Sequence, residues 1–378
     1  MVDHLDLPLA LIGRNGAGKT NVLHAIAWAA KGGVIDSQLP MYEAEGDVVL
    51  HLEVLGNRYT YAVRRTLDRA HPGQGVHVEE HLIRQSGREI APLPVISRTD
   101  STLLIEADGE MTIPPDVSAV RAVLGFFAGT PALKDEIQAI FSLLEGITYY
   151  PLMPTSPSHS PGFFWWKDYV EWKKSGKRTI ATDEDLNLLL FEAWWNDRAK
   201  FDELQALLGP NSLGIVESVE IFQYTPSDVP NSGYLPVADT RPDKAEESLF
   251  GVFFRPHNGN ARVRFRQLSM GTKRVIQLIA HLIMDRISVA LIEQPEDALH
   301  PAMQRRVMGI IHTYSAAFQC VVTSHSPELF NSMSPAAIRL VAYEGQRTMV
   351  SSLSEEQIAH AREYLECEGS LAEFLELL

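Results

Sequence analysis

The chain has 378 residues, and its 33 Lys and Arg residues against 48 Asp and Glu residues give a formal net charge of −15 at pH 7. Its 45% hydrophobic and 21% charged residues are typical of a globular protein, which excludes a mostly disordered or fibrous chain. No apolar run approaches the ~20 residues that cross a bilayer, and no signal-peptide pattern opens the chain. We therefore expect a soluble, cytoplasmic protein without a membrane partner.

The net charge and the cysteine content exclude further classes of protein. The acidic excess disfavours a surface that coats nucleic acid, although a local basic groove is compatible with it. Cys320 and Cys367 are too few for a disulfide framework and lack the spacing of a zinc site.

A glycine-rich loop near the N-terminus is the first pattern that indicates chemistry. The apolar run at 9–12 predicts a strand, and apolar residues at helical spacing over 22–29 predict a helix. Between them, one stretch matches G-x-x-x-x-G-K-[ST] in full: Gly13, Arg14, Asn15, Gly16, Ala17, Gly18, Lys19 and Thr20. In this context the backbone N–H groups bind phosphates, the lysine reaches the β- and γ-phosphates, and the threonine hydroxyl ligates Mg²⁺.

The middle of the chain predicts first strands and then helices. An antiparallel sheet is expected from strands at 48–54, 59–63 and 77–83. Two helices are expected over 117–146, with a break at 129–131. They are followed by a proline-rich loop at 151–161, a tryptophan-rich helical section at 163–208 and a second loop at 228–247.

The C-terminal third predicts a parallel sheet. Strands at 249–255 and 262–265 precede a helix at 272–286, a strand at 287–292, a helix at 301–314 and a strand at 319–323. Alternating helices and strands at this spacing are typical of a parallel sheet with helices on its faces. Residues 355–378 predict one or two amphipathic helices that cap the core or dock on a partner.

Three later segments carry further candidate residues. Glu293 ends an apolar strand, at the edge where α/β sheets bind ligands, and would ligate Mg²⁺ directly or through water. Ser269 and Gly271 begin a helix whose free N–H groups can hold an anion. His325 ends another strand and can donate a hydrogen bond to a phosphate. Taken singly, each residue also fits a structural role, as a strand end, a helix N-cap or a structural histidine.

The four segments together carry a family resemblance. GRNGAGKT, QLSMGTKR, LIEQPEDALHP and TSHSP, in that order, resemble the ABC-type, SMC- and RecF-like ATPases of the AAA family. Within these, the resemblance favours the group that includes the OLD-family ATPase domain and the ATPase subunits of anti-phage systems such as Septu. It implies an α/β P-loop NTPase fold of the ABC/SMC-head type, with a mostly parallel core sheet, an antiparallel β lobe and a helical insertion.

The resemblance also implies how the chain is divided. Residues 1–98 would form the N-terminal part of the ATPase head, with the phosphate loop and the β lobe. Residues 99–247 would form a mainly helical insertion or lid, and residues 248–378 the C-terminal part of the head with the terminal helices.

By the same resemblance, ATP and Mg²⁺ are the cofactors, bound between two subunits arranged head to tail. Thr20 and Glu293 would ligate the metal. The phosphate loop of one subunit would face Ser269 and Gly271 of the other, and His325 would lie near the γ-phosphate.

One position departs from the family pattern. Gln294 stands where many relatives carry a glutamate that polarises the attacking water, and an amide cannot accept the proton of that water. Hydrolysis would then be slow, or Glu296 would act through a water molecule. The candidate catalytic residues are therefore Glu293, Gln294, Glu296 and His325.

The functional expectation is an ATP-driven dimeric switch that controls a separate effector, a nuclease in a bacterial anti-phage system. About fifty residues follow His325, too few for the Toprim nuclease domain of OLD proteins. Two alternatives stay open. One is a RecF-like DNA repair or recombination ATPase that contacts DNA through Arg58, Arg64 and Arg65 or through the basic run at 173–178, which ends the aromatic stretch 163–178. The other is an ATP-sensing scaffold with slow turnover.

Overall fold

The computed structural model gives the secondary structure of most of the chain. It describes residues 8–33, 45–67, 76–85, 93–105, 109–114, 117–126, 130–152, 163–176, 180, 182–224, 235–236, 246, 248–257, 259, 261–345 and 347–367. The strands are β1 (Leu9–Ile12), β2 (Gly46–Val54), β3 (Asn57–Leu67), β4 (Val76–Gln85), β5 (Leu93–Thr99), β6 (Thr102–Ile105), β7 (Gly109–Thr112), β8 (Ile147–Tyr150), β9 (Phe163–Trp165), β10 (Val216–Tyr224), β11 (Leu235–Pro236), β12 (Leu249–Pro256), β13 (Val289–Glu293), β14 (Gln319–Ser324), β15 (Ile338–Glu344) and β16 (Arg347–Ser352). The α-helices are α1 (Lys19–Ala30), α2 (Ala119–Phe126), α3 (Pro131–Glu145), α4 (Trp166–Ser175), α5 (Asp183–Asn196), α6 (Arg198–Leu208), α7 (Met270–Met284), α8 (Pro301–Tyr314), α9 (Pro327–Phe330) and α10 (Glu355–Cys367).

The core sheet confirms the expected α/β fold. Its six strands have the order β16-β15-β1-β14-β13-β8. All neighbours pair in parallel except β16, which joins the edge antiparallel to β15. The strands are short apolar runs such as Leu9–Ile12, which is fully buried, as expected for a parallel sheet covered by helices. The carboxyl ends of β1, β14, β13 and β8 therefore meet at one edge.

An antiparallel lobe of six strands, β2 to β7, follows α1 and confirms the three strands predicted there. Its inner face is set by alternation along β3, where Tyr59, Tyr61, Val63 and Arg65 are all buried.

A buried ion pair joins this lobe to α2. The side chains of Glu80 and Arg98 are 0% exposed, and Arg98 Nη1 lies 3.6 Å from Glu80 Oε2. Glu80 also accepts hydrogen bonds from the Tyr61 hydroxyl and from the Ala119 N–H at the start of α2, each 2.7 Å long. Arg98 donates to the Val117 carbonyl oxygen over 2.7 Å. Because both charges are paired and hydrogen-bonded, they tolerate burial, and they determine where α2 docks.

A four-stranded sheet in the order β11-β10-β12-β9 packs with α4, α5 and α6. The helices meet it through an aromatic cluster, in which the Phe191 ring lies 4.7 Å from Phe250 and 5.1 Å from Phe164 between centroids. Trp166 and Trp195 belong to the same cluster, with centroids 4.9 Å apart. Most aromatic residues of the predicted tryptophan-rich section are therefore packed in a core.

Some local elements differ from the sequence prediction. The predicted helical section opens with strand β9, because Phe163–Trp165 pairs with Leu249–Gly251 of β12. The predicted strand at 262–265 is reduced to one bridge between Val263 and Phe254, after which a 3-10 helix begins. Strand β10 had no predicted counterpart.

The sheets also cross the expected division of the chain. The boundary at 98/99 cuts through the β lobe, since β6 and β7 continue it beyond β5. The segment 99–247, expected to be mainly helical, supplies β8 to the core sheet and supplies β9, β10 and β11 to the four-stranded sheet. These strands form because they pair with segments far away in the chain. The periodicity of apolar residues, on which the prediction of a helical segment depended, contains no information about such pairing.

The predicted loops at 151–161 and 228–247 lie largely outside the described residues. Of the predicted terminal helices, α10 is formed, and residues 368–378 lie outside the described part. No helix in the described part of the chain is long and apolar enough to cross a membrane.

Candidate nucleotide-binding site

The glycine-rich loop lies between β1 and α1 and rests on the hairpin of β15 and β16. Gly16 has φ +80° and Gly18 has φ +96°, a region that residues with a side chain rarely adopt. A Cβ on Gly18 would lie 2.0 Å from Thr348 Oγ1 of β16. A Cβ on Gly13 would lie 2.0 Å from the Val341 carbonyl oxygen of β15. Gly13 and Gly18 therefore allow the hairpin to contact the loop.

Lys19 lies against the same loop. Its side chain is buried, and its Nζ donates hydrogen bonds to the carbonyl oxygens of Gly13, over 2.8 Å, and Arg14, over 3.1 Å. Burial lowers the pKa of Lys19, and the nearby Glu296 carboxylate opposes that shift. The two carbonyl groups satisfy an ammonium group whose burial would otherwise be costly.

The Glu293 carboxylate lies next to the start of α1. Thr20 Oγ1 donates to Glu293 Oε1 over 2.5 Å, although 273 residues separate them. The Tyr149 hydroxyl, at the end of β8, donates to the other oxygen, Glu293 Oε2. Burial and the Glu293 carboxylate raise the pKa of Tyr149, so the tyrosine remains a hydrogen-bond donor at neutral pH.

These groups fit a magnesium ion that arrives with a nucleotide. Mg²⁺ takes hard oxygen ligands and is usually held by one or two side chains plus waters and phosphate oxygens. Thr20 and Glu293 supply a hydroxyl and a carboxylate oxygen that already touch. Among the described residues, no group of three or more His, Cys, Asp or Glu side chains could hold a metal by itself.

Gln294 follows Glu293, and its backbone N–H and carbonyl oxygen are both hydrogen-bonded. It has φ +43°, which is strained for a residue with a side chain. Its N–H donates to the Thr323 carbonyl oxygen over 3.1 Å, and its own carbonyl oxygen accepts from Arg274 Nη2 over 2.9 Å. The surrounding structure therefore maintains the left-handed turn that follows the carboxylate.

Glu296 is tied to the strand end that carries His325. Its Oε1 accepts from Ser324 Oγ over 2.7 Å and from the His325 N–H over 2.8 Å. Its Oε2 is buried and has no hydrogen-bond partner within the described residues. Partial desolvation and the Lys19 charge lower the pKa of His325, so its ring is neutral at pH 7. The loop lysine, Glu296 and His325 are thus electrostatically coupled.

A family comparison matches both ends of the chain. The family described as "AAA domain, putative AbiEii toxin, Type IV TA system" matches residues 9–103 and 217–331, more than half of the chain. The chain belongs to this AAA-domain family. The relationship makes it an ATPase of the AAA type and implies that it binds a nucleotide. The residues of the glycine-rich loop and Ser269, Glu293 and His325 all lie in the matched ranges.

Solved structures of SMC heads are similar to the chain in outline. The SmcHead bound to the C-winged helix domain of ScpA is 14% identical, with a TM-score of 0.47, over 93% of this chain and 92% of that chain. The Smc head domain with an extended coiled coil bound to the C-terminal domain of ScpA, derived from Pyrococcus furiosus, is 12% identical, with a TM-score of 0.41, over 96% and 94%. The SMC head domain from Thermotoga maritima is 10% identical, with a TM-score of 0.34, over 93% and 91%. No curated protein matches significantly, so the assignment rests on the AAA-domain match.

The predicted anion-binding segment of this AAA domain, Ser269 to Gly271, contacts its own chain. Ser269 Oγ accepts from the Thr272 N–H over 3.2 Å and so caps α7, while the residue stays exposed. A Cβ on Gly271 would lie 2.4 Å from the Ala298 carbonyl oxygen. Arg274, on the same helix, lies 3.6 Å from Asp297. The segment therefore packs on the turn that follows Glu293.

The basic residues expected to contact DNA differ in their exposure. Arg65 is buried on the inner face of the β lobe. Arg58 and Arg64 are exposed but lie 3.7 Å and 3.9 Å from Glu53 and Glu79, respectively. Alternation along β3 places Arg65 on the face opposite to Arg58 and Arg64.

The second predicted basic surface is only partly described. Lys173 lies 3.1 Å from Glu192, so its charge is paired. Residues 177 and 178, at the end of that run, lie outside the described part of the chain.

Sequence reasoning missed Tyr149 and Thr348. Tyr149 lies in a short strand whose partner, β13, comes from a distant segment, and Thr348 lies in the β15–β16 hairpin at the edge of the core sheet. The signal that could have found Tyr149 is its place at the end of an apolar strand, ITYY, because the carboxyl ends of parallel strands meet at one edge.

We expect Gly18→Ala to destabilise the protein by more than the ~1–2 kcal/mol that a left-handed residue costs, because its Cβ also collides with Thr348. Thr348→Ala should relieve part of this collision. In urea unfolding, the two substitutions should therefore show a coupling of about 1 kcal/mol or more. Gly16→Ala is the matched control, since it has a similar φ but no neighbour within 4 Å. Equal effects of the two glycine substitutions, without coupling to Thr348, would contradict this contact.

Proposed function

We propose that this AAA-domain protein is an ATP- and Mg²⁺-dependent dimeric switch that controls a separately encoded effector, a nuclease in a bacterial anti-phage system of the OLD or Septu kind. The observation that carries the proposal is the contact between Thr20 and Glu293, which joins a complete phosphate loop to an acidic strand end. The family description names a putative AbiEii toxin of a type IV toxin–antitoxin system, which is a system of two components.

Each residue of the site has a separate role in binding the nucleotide. The N–H groups of the loop at 13–18 bind the phosphates, and Lys19 exchanges its carbonyl partners for phosphate oxygens. Thr20 and Glu293 would hold a magnesium ion, which would neutralise phosphate charge when bound. His325 can donate one ring N–H toward the terminal phosphate.

Dimer formation is supported by the position of Ser269. It lies exposed at the N-terminus of α7, a 15-residue helix whose first N–H groups and dipole favour an anion. Within the described residues, the hydrogen bonds of its hydroxyl belong to the local cap, with Thr272. The phosphates of a nucleotide bound to a second subunit provide the anion that this helix end would hold.

We expect the wild type to dimerise with a non-hydrolysable ATP analogue and Mg²⁺, and Ser269→Arg to bind the analogue but stay monomeric. Light scattering coupled to size-exclusion chromatography measures the mass. Ser354→Arg is the matched control, because Ser354 is an exposed N-cap whose Oγ accepts from the Gln357 N–H over 3.1 Å. A Ser269→Arg variant that dimerised like the wild type would contradict the head-to-tail arrangement, as would a wild type that stayed monomeric at saturating analogue.

Hydrolysis is expected to be slow because of Gln294. Its amide can orient a water molecule but cannot take the proton. Besides Glu293, Glu296 is the one carboxylate among the four candidate catalytic residues. Its Oε1 already accepts hydrogen bonds from Ser324 and His325. We therefore assign Glu296 to holding the strand end and leave Gln294 as the residue that limits turnover.

We expect Gln294→Glu to raise steady-state ATP turnover about tenfold or more, since a positioned general base contributes roughly 10²–10⁴-fold in enzymes. Phosphate release measures the rate, and a fluorescent ATP analogue checks that nucleotide affinity stays within about twofold. A brisk wild-type rate that the variant does not exceed would contradict the role of Gln294 and would also exclude the slow scaffold.

A DNA cleavage assay tests whether the effector is a separate protein. We expect the purified chain not to cleave DNA with Mg²⁺ or Mn²⁺, and cleavage to appear when the product of a neighbouring gene is added with ATP. Lys19→Ala should abolish this cleavage because the loop loses its phosphate-binding cation, whereas Lys31→Ala, at the other end of α1, should not. If the chain alone cleaved DNA and Lys19→Ala retained that activity, the effector would lie in this chain.

A further inference from the structure

The end of β8 presents two tyrosines to opposite faces of the core sheet. The Tyr149 hydroxyl donates to Glu293 Oε2 at the ligand-binding edge. The Tyr150 side chain is 2% exposed, and its hydroxyl donates to Asp285 Oδ2 over 2.8 Å. Alternation along a strand explains the difference, because successive side chains point to opposite faces. One of the two tyrosines therefore belongs to the candidate site, and the other belongs to the core.

Tyr149 is held in place by groups other than Glu293. β8 pairs in parallel with β13, so that Tyr149 lies beside Leu291, two residues before the carboxylate. The ring of His24 packs edge-on against Tyr149, with centroids 4.7 Å apart and planes at 85°. His24 is 5% exposed and lies on α1 one turn after Thr20. The same helix therefore carries the metal-side hydroxyl and the ring that supports the tyrosine.

The two hydroxyl donors of Glu293 differ in what they do when a metal binds. Thr20 is itself a proposed ligand, so a lone pair of its hydroxyl oxygen would face the ion while its proton can still bond to Oε1. The Tyr149 hydroxyl occupies the opposite oxygen and need not move. A carboxylate whose far oxygen is hydrogen-bonded keeps its near oxygen directed at the ion, which is how outer partners orient metal ligands.

We propose that Tyr149 is a positioning residue that orients the Glu293 carboxylate toward the nucleotide-bound magnesium ion. The inference rests on the proposed function, and it goes beyond the family match, because residue 149 lies in the stretch between the two matched ranges. The segment that separates the two halves of the AAA domain thus contributes a strand to the core sheet and a side chain to the candidate site.

The inference predicts a selective loss of metal affinity. Without the phenolic hydroxyl, Glu293 Oε2 loses its donor, and the carboxylate can rotate. Substitution of such outer partners typically lowers metal affinity 10- to 100-fold. Binding of ATP in the absence of metal should not change, since Lys19 Nζ bonds to the Gly13 and Arg14 carbonyl groups and the Tyr149 hydroxyl bonds to Glu293.

The test compares Tyr149→Phe with Tyr150→Phe in the full chain. Binding of a fluorescent, non-hydrolysable ATP analogue is titrated with Mg²⁺, and again with Mn²⁺, and is then measured in EDTA. We expect the Mg²⁺ midpoint of Tyr149→Phe to rise about tenfold or more, with binding in EDTA unchanged. Tyr150→Phe should keep the wild-type midpoint within about twofold while lowering the melting temperature, because it loses a buried hydrogen bond.

The outcomes separate the inference from the proposed function. If the wild type binds the analogue with Mg²⁺ and Tyr149→Phe has the wild-type midpoint, the positioning role is wrong and the proposed function stands. Equal midpoint shifts in both tyrosine variants would also overturn the role, because they would report a general loosening of β8. A wild type that bound no nucleotide would overturn the proposed function itself.

Discussion

The Glu293 carboxylate is the contact point on which the candidate site depends. Its oxygens accept one hydroxyl from Thr20, 273 residues away, and one from Tyr149, 144 residues away. The parallel order of β8, β13, β14 and β1 makes this possible, because it aligns the carboxyl ends of four strands at one edge. A register shift of a single residue in β13 would turn Glu293 to the other face of the sheet.

The charges around this carboxylate are arranged before any ligand binds. Lys19 is buried yet satisfied by two loop carbonyl groups, and Glu296 offsets part of its desolvation. Glu296 in turn accepts from the His325 N–H, so the acidic turn and the histidine-bearing strand end are joined. Dipoles and charges held in place in this way need little reorganisation when a charged ligand arrives.

Several motif residues have structural roles beside their proposed functional ones. Gly18 allows Thr348 of the hairpin to approach the phosphate loop, and Gly271 allows α7 to approach the Ala298 carbonyl oxygen. Ser269 caps α7. Each of these glycines and serines therefore has two roles. It allows its own chain to pack, and it is proposed to contact the ligand.

Local patterns of residues were enough to predict three features: the phosphate loop between a strand and a helix, the first three strands of the β lobe, and α8 at Pro301–Tyr314. Glycine positions and short-range periodicity encode these directly. The order of the motifs also predicted that Glu293 would meet the loop. The tertiary structure alone decided that β8 joins the core sheet, that Tyr149 bonds to Glu293, and that a strand opens at Phe163. The physical reason is that strand partners and side-chain hydrogen bonds come from segments far apart in the chain, and no local spacing records which of them will pair.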